Sequence, residues 1–182
     1  MSKAVMLSIR PKWVEKIANG EKTIEVRKTR PKLDTPFKCY IYCTLPKYPH
    51  EDFIATDYPM PQFYGGGKVI GEFVCDCITP LYNVCMDDWK RLAGGLHNIE
   101  KELVNQACLT EAKLHTYAGG KNCFAWHISD LLIYDQPREL SEFTGLRTFK
   151  GGFELRKIDR PPQSWCYVEV MKDAWNRRAE DG

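Results

Sequence analysis

Short apolar runs separated by polar, glycine- and proline-containing segments dominate the sequence. The runs are rich in Val, Ile, Phe, Tyr and Cys and are too short for helices, which is typical of β-strands. Gly71 lies inside the longest run and predicts a β-bulge there. FAWHI and LLIYD are expected to pair with each other. The predicted strands are Ala4–Ile9, Thr23–Lys28, Phe37–Cys43, Lys68–Ile78, Phe124–Ile128, Leu131–Asp135 and Trp165–Val170.

A helical pattern occupies the residues between Pro11 and Gly20. Trp13, Val14 and Ile17 recur at helical spacing, Pro11 suits the first turn, and Gly20 suits the end of the helix. In the middle of the chain, Thr110 is a candidate N-cap, and the glycines at 119 and 120 are suited to ending the helix. The further predicted helices lie around Asp87–Leu92, Ile99–Cys108 and Glu111–Tyr117.

The order of these elements predicts an α+β, mainly β fold. Strands outnumber helices and do not alternate with them, which favours a small, mostly antiparallel barrel of about five or six strands with flanking helices. We expect one domain over residues 1–171 and a polar tail over 172–182. Residues 45–67 hold prolines, glycines and five aromatic residues, and are expected to form an insertion packed against the barrel.

The charge is distributed unevenly along the chain. The 182 residues carry a net charge of only +2, but residues 1–38 hold ten Lys/Arg against four Asp/Glu. Such a basic segment is either a solvated face or a surface that meets an anion, most commonly nucleic acid. No run of apolar residues reaches membrane-spanning length and no signal-peptide pattern is present, so a cytoplasmic protein without a membrane partner is expected.

Eight cysteines raise the question of a metal or disulfide framework. No C-x-x-C motif occurs, and no cysteine pair has a histidine pair at zinc-finger spacing, so we expect reduced thiols and no metal. Cys75 and Cys77 are expected on the same side of one strand. A P-loop and a dinucleotide fingerprint are both lacking, so no cofactor is expected.

A concentration of charge in the second predicted strand is the main chemical feature of the sequence. In GEKTIEVR, strict alternation places Thr23, Glu25 and Arg27 on one face. Lys22 falls on the apolar side unless it belongs to the preceding turn, from which it could reach Glu25. These charges form either a salt bridge at the rim of the sheet or the lining of a binding site.

This segment resembles the G-x-K-x-x-E-x-R signature of the ASCH domain, a branch of the PUA-like barrels. The preceding LSIRPKW is similar to the start of the first helix in that family. Residues 125–143 and 160–170 resemble a bacterial and phage-type subgroup. The resemblance implies a barrel with a cleft beside the first helix, lined by Lys22, Glu25 and Arg27.

The candidate nucleic-acid- or nucleoside-binding residues follow from this resemblance and from side-chain chemistry. Arg27 could hold a phosphate or a base edge, and Glu25 could accept from an exocyclic amine. Trp13 could stack on a base or pack in the core. The full set is Ser8, Arg10, Lys12, Trp13, Lys22, Glu25, Arg27, His127 and Ser129.

Three functions remain open on the sequence alone. The first is binding of RNA or of a modified nucleoside or nucleotide. The second, also implied by the resemblance, is an amidohydrolase acting on an acylated modified nucleoside such as acetylcytidine, with Lys22 and Glu25 as catalytic residues. The third is a module that binds a protein partner through the insertion at 45–67.

Overall fold

The computed structural model describes residues 2–45, 53–55, 62–81 and 98–171, and the predicted helix around Asp87–Leu92 lies outside them. Three α-helices are present in the described chain, α1 (Pro11–Ala18), α2 (Asn98–Gln106) and α3 (Glu111–Ala118), and a 3₁₀ helix spans Leu140–Glu142. The strands are β1 (Lys3–Ile9), β2 (Ile24–Arg27), β3 (Phe37–Cys43), β4 (Phe53–Ala55), β5 (Gln62–Tyr64), β6 (Val69–Cys75), β7 (Ile78–Leu81), β8 (Cys123–His127), β9 (Ser129–Arg138), β10 (Thr144–Phe149), β11 (Gly152–Lys157) and β12 (Trp165–Glu169).

The strands form one large and two small sheets. The large sheet has seven strands in the order β11-β10-β12-β1-β3-β6-β9, in which only β1 and β3 are parallel neighbours. A second sheet has the order β2-β8-β7, and β4 pairs with β5. The fold is therefore mixed α and β, with mostly antiparallel pairing as the sequence predicts.

The first strand lies at the centre of the large sheet and is buried on both faces. Its odd-numbered residues Val5, Leu7 and Ile9 join a core with α1 and Trp126, and Ala4 and Met6 join a second core on the opposite face. Burial on both faces explains why Ala4–Leu7 form an apolar run without alternation.

Helices α2 and α3 pack on the three-stranded sheet β2-β8-β7. Ile24 and Val26 of β2 pack with Leu114 and Ala118 of α3 in a third core. The predicted ends of α3 are confirmed. The Thr110 side chain accepts a hydrogen bond from a backbone N–H at the helix start, and the residue after the helix at 119 adopts φ +57°, which favours glycine.

The predictions of strand pairing and strand number need correction. FAWHI and LLIYD do not pair with each other, because β8 pairs with β2 and β7 while β9 pairs with β6. The hairpin β10–β11 and the strand β7 were not predicted. A closed barrel is not found among the described strands, so the barrel stays a prediction, and seven strands in one sheet exceed the expected five or six.

Helices long and apolar enough to cross a membrane are lacking in the described part of the chain.

Candidate functional site

A cleft of about 730 Å³ opens where the two larger sheets meet, beside α1. Its walls come from the ends of β1 and β2, from α1 and α3, and from the segment before β12. This volume lies within the range of small-molecule sites, about 300–1,000 Å³. Side chains predicted from the sequence line it: Ser8, Arg10, Trp13, Lys22, Glu25 and Arg27.

Lys22 lies at the floor of the cleft with only 3% of its surface exposed. It belongs to the turn before β2, which resolves its position relative to the strand alternation. Its Nζ donates hydrogen bonds to the carbonyl oxygens of Ile24 (2.6 Å) and Ala107 (3.0 Å) and lies 3.2 Å from Glu25 Oε2. The ammonium is also 5.4 Å from the centre of the Trp13 ring. Protein oxygens and an aromatic face therefore replace its hydration shell.

Glu25 is the centre of a buried ionic group. One carboxylate oxygen faces Lys22, and the other lies 3.0 Å from Arg27 Nε. The contact with Arg27 is an ion pair without hydrogen-bond alignment, since Arg27 Nε has no hydrogen-bond partner. Burial of a carboxylate without cations would be costly, so the two cations are what allow Glu25 to lie at the floor.

Arg27 connects the two larger sheets. Its Nη2 donates to the carbonyl oxygen of Ser8 on β1 (2.9 Å), and its Nη1 donates to the backbone oxygen and to Oγ of Ser164 (3.3 Å each). The Ser8 hydroxyl in turn donates to the carbonyl of Pro162 (2.6 Å). These bonds hold the segment before β12 as a wall of the cleft, and a planar guanidinium is suited to such multiple contacts.

The rim of the cleft is basic and partly aromatic. Arg10, Lys28 and Lys113 are exposed cations of its lining, and Lys28 Nζ lies 5.2 Å from the centre of the Tyr117 ring. Burial raises the pKa of the Tyr117 hydroxyl, against the opposing effect of the Arg27 charge, so this group stays neutral at physiological pH. Five cations and one carboxylate line the cleft, which gives it a positive field.

Four residues of the cleft lining were not predicted from the sequence: Lys28, Lys113, Tyr117 and Ser164. Lys113 and Tyr117 are four residues apart, on one face of a predicted helix with a predicted cap, and this spacing was the available signal. The packing of α3 on β2, which lies far away in the sequence, closes the cleft and could not be predicted from the sequence.

Three of the predicted binding residues are not part of this lining. Lys12 is exposed, with its Nζ 4.7 Å from the centre of the Trp13 ring. His127 ends β8 and its Nδ1 lies 2.6 Å from Asp76 Oδ1, whereas Ser129 begins β9 and donates to the carbonyl of Val74. His127 and Ser129 therefore lie on different strands, not on one strand face.

Trp13 both packs against the core and lines the cleft, so the two roles considered for it are compatible. The side chain is half-buried, packs against the core that contains Val14 and Ile17, and presents part of its surface to the cleft. Ile17, one helical turn further on, is fully buried in the same core.

Groups of three or more His, Cys, Asp or Glu side chains arranged to hold a metal ion are not found among the described residues. The lack of a metal and of a cofactor remains a prediction from the sequence.

Comparison with known proteins identifies the fold. The sequence matches no protein-family model and no curated protein. Among solved structures, two mutants of an ASCH protein from Zymomonas mobilis, ZmASCH, superpose with TM-scores of 0.50 at 18% identity. One match covers 99% of this chain and 98% of the other, and the second covers 98% and 94%.

The protein has the fold of the ASCH domain over nearly its whole length. The resemblance inferred from GEKTIEVR is thus confirmed at the level of the fold.

Proposed function

We propose that this protein binds single-stranded RNA, or a nucleotide within it, in the basic cleft beside α1, and that it is a non-catalytic member of the ASCH family. The observation that best supports this proposal is the composition of the cleft lining. Five cations, one carboxylate and two aromatic rings surround a cavity of nucleotide size. Cations suit phosphates, and aromatic rings suit unstacked bases.

The division of labour among the cations supports this proposal. Lys22 and Arg27 are buried in contacts with protein oxygens, so they set the shape of the floor. Arg10, Lys28 and Lys113 are exposed at the rim, where a phosphodiester strand can reach them without disrupting buried contacts. We infer that the rim carries the affinity for the backbone.

The alternative, an amidohydrolase acting on an acylated nucleoside such as acetylcytidine, would use Lys22 and Glu25. A general base must present an oxygen to the attacking water, but each Glu25 oxygen already faces a cation of the protein. Lys22 is engaged by two carbonyls as well as by Glu25. This geometry favours binding over hydrolysis.

The proposal is tested by fluorescence anisotropy with an end-labelled single-stranded RNA at several salt concentrations. We expect affinity to fall steeply with salt, with a slope of about −0.7 per phosphate contacted. Lys28→Ala and Lys113→Ala should each weaken binding and reduce the slope by about 0.7. Lys150→Ala is the matched control, because Lys150 is an exposed lysine outside the cleft lining.

An affinity that does not change with salt would contradict the proposal. Release of acetate from acetylcytidine, followed by chromatography, would contradict the non-catalytic part and favour the hydrolase. Loss of that release in Glu25→Gln, with binding of RNA intact, would assign the reaction to this cleft.

A further inference from the structure

The outermost strand of the large sheet, β11, is an exposed edge. All six of its residues are exposed, including Phe153 (43%) and Leu155 (44%). Within the described chain β11 pairs with β10 alone. The backbone groups on its outer side are thus available to another strand, and such an edge invites pairing unless charge or shape prevents it.

We propose that β11 is a self-association surface, on which the β11 strand of a second copy of this chain pairs antiparallel about a twofold axis. A twofold axis perpendicular to the sheet keeps each side chain on its own face. Residues that lie opposite one another must then both be odd-numbered or both be even-numbered. The two strands can therefore shift relative to each other only by two residues at a time. The proposed register places Leu155 opposite Leu155 of the second copy.

Charge complementarity selects this register. With Leu155 at the centre, Glu154 lies opposite Arg156 of the second copy, and the symmetry produces this pair twice. Phe153 then lies opposite Lys157, also twice. The two neighbouring registers would place Glu154 opposite Glu154, or Arg156 opposite Arg156, and like charges directly opposite are destabilising.

The backbone geometry of the hairpin agrees with the same register. Phe149 and Gly152 close β10–β11 across a two-residue turn, so pairs at even positions of β11 bond to β10. The N–H and C=O groups of Phe153, Leu155 and Lys157 therefore point outward. These are the residues that the proposed register sets opposite one another in hydrogen-bonded pairs.

A second copy fits this edge better than an unrelated strand does. The alternation of an acidic and a basic residue about Leu155 is complementary to itself when reversed. Six residues form a small contact compared with the roughly 800 Å² per partner of a standard interface, so we expect weak, concentration-dependent association.

Sedimentation equilibrium of the full chain over a concentration series tests this proposal. Glu154→Arg or Arg156→Glu alone turns both attractive pairs of the dimer into repulsive ones. We expect each to weaken self-association about tenfold or more, because two attractive pairs are lost and like charges directly opposite one another in a sheet are destabilising. Arg156→Glu is the cleaner variant, because Gly145 lies opposite Arg156 within the hairpin, whereas Arg147 lies opposite Glu154.

The decisive sample is an equimolar mixture of the two single variants. In a mixed dimer the new arginine of one copy meets the new glutamate of the other, and both native residues meet as well. We expect the mixture, and also the double variant Glu154→Arg with Arg156→Glu, to associate as the unsubstituted chain does. Lys150→Glu, in the turn of the same hairpin, makes the same charge change as Arg156→Glu and should have little effect.

A monomer at every concentration would overturn the proposal, as would two single variants that fail to associate when mixed while keeping native circular dichroism. Association unaffected by either charge reversal would place the interface elsewhere on the molecule. RNA binding should persist in all these variants, because Glu154 and Arg156 do not line the cleft. Failure of the self-association proposal would therefore leave the proposal of RNA binding in the cleft unaffected.

Discussion

At the scale of single residues, the buried Glu25 determines how the cleft is held together. It is a charged side chain at the floor, 8% exposed, and it neutralises two buried cations at once. Breaking a buried ion pair by removing one partner leaves an uncompensated charge, which costs far more than loss of an exposed pair.

We therefore expect Glu25→Gln to lower the free energy of unfolding by about 3–5 kcal/mol, because Lys22 and Arg27 lose their carboxylate. Urea unfolding followed by circular dichroism gives this value. Glu21→Gln is the matched control, since Glu21 pairs with Lys16 at the exposed surface and should change stability little. Equal stability of the two variants would contradict a supporting role for Glu25.

The cysteines are expected to differ strongly in reactivity. Burial raises the pKa of the Cys75 thiol to about 12, and the pKa of the buried Cys39 thiol is also raised. At neutral pH these thiols stay protonated, and the reactive thiolate of Cys75 forms only as the pH approaches 12. Cys77, two residues beyond Cys75, is exposed.

Iodoacetamide applied to the native protein at pH 8 should modify Cys77 well before Cys75 or Cys39. Peptide mass spectrometry over time measures the order, and the same labelling in urea provides the control in which the three rates converge. Modification of Cys75 as fast as Cys77 in the native protein would contradict the described burial. The sequence placed both thiols on one side, but β6 ends at Cys75, so the alternation does not continue.

The residues of the ionic group could be found from sequence because they are local. Lys22, Glu25 and Arg27 lie within six positions, and a charged strand among apolar ones is conspicuous. Lys113 and Ser164 reach the same cleft through long-range packing. The four-residue spacing of Lys113 and Tyr117 signals only a shared helix face, and nothing in the neighbourhood of Ser164 distinguishes it from an ordinary surface residue.

At the scale of elements, the bulge predicted from Gly71 is found in β6. The pairing of β6 with β3 shifts register beside this glycine, because the neighbouring β3 residues Ile41 and Tyr42 pair with Gly71 and Val69. A Cβ atom at position 71 would lie 2.4 Å from the carbonyl oxygen of Leu132, a backbone atom of β9. The glycine is therefore required because two backbones approach closely.

Gly71→Ala should accordingly destabilise the protein by about 1–3 kcal/mol, the usual cost of forcing atoms into a packed interior. Gly152→Ala is a suitable control, because the nearest atoms to its Cβ would be those of the Phe149 ring at 3.7 Å and 3.9 Å, which is ordinary contact. The difference between the two melting temperatures measures the effect. If Gly71→Ala and Gly152→Ala have the same melting temperature, β9 must move to make room for the added methyl group at position 71, which would contradict the prediction.

Elements with strong local signals were predicted closely, and those without were missed. β3 has the predicted limits, and α1 and α3 lie within one residue of theirs, because an apolar run, an N1 proline and a threonine cap are read locally. The hairpin β10–β11 escaped prediction because β11 is exposed along its whole length and so shows no alternation of buried and exposed positions. Strand pairing was the weakest inference, since β8 and β9 are adjacent in sequence but belong to different sheets.

At the scale of the whole molecule, the chain ends and its centre build one sheet. β1 has β3 on one side and β12 on the other, so residues near both ends of the described chain are neighbours. The sequence predicted mostly antiparallel strands, and the fold bears this out. It could not give the parallel β1–β3 pair, which requires α1 and β2 to cross over between them.

This central position of β1 has a consequence for the order of folding during synthesis. Lys3 and Glu169 are register partners, yet the ribosome must add 166 further residues after the first before the second exists. Until β12 emerges, one side of β1 has no native partner, and its apolar edge is available to chaperones or to other nascent chains. Pairs of such large sequence separation also fold slowly. The N-terminal half is therefore expected to complete its structure only after β12 has emerged from the ribosome.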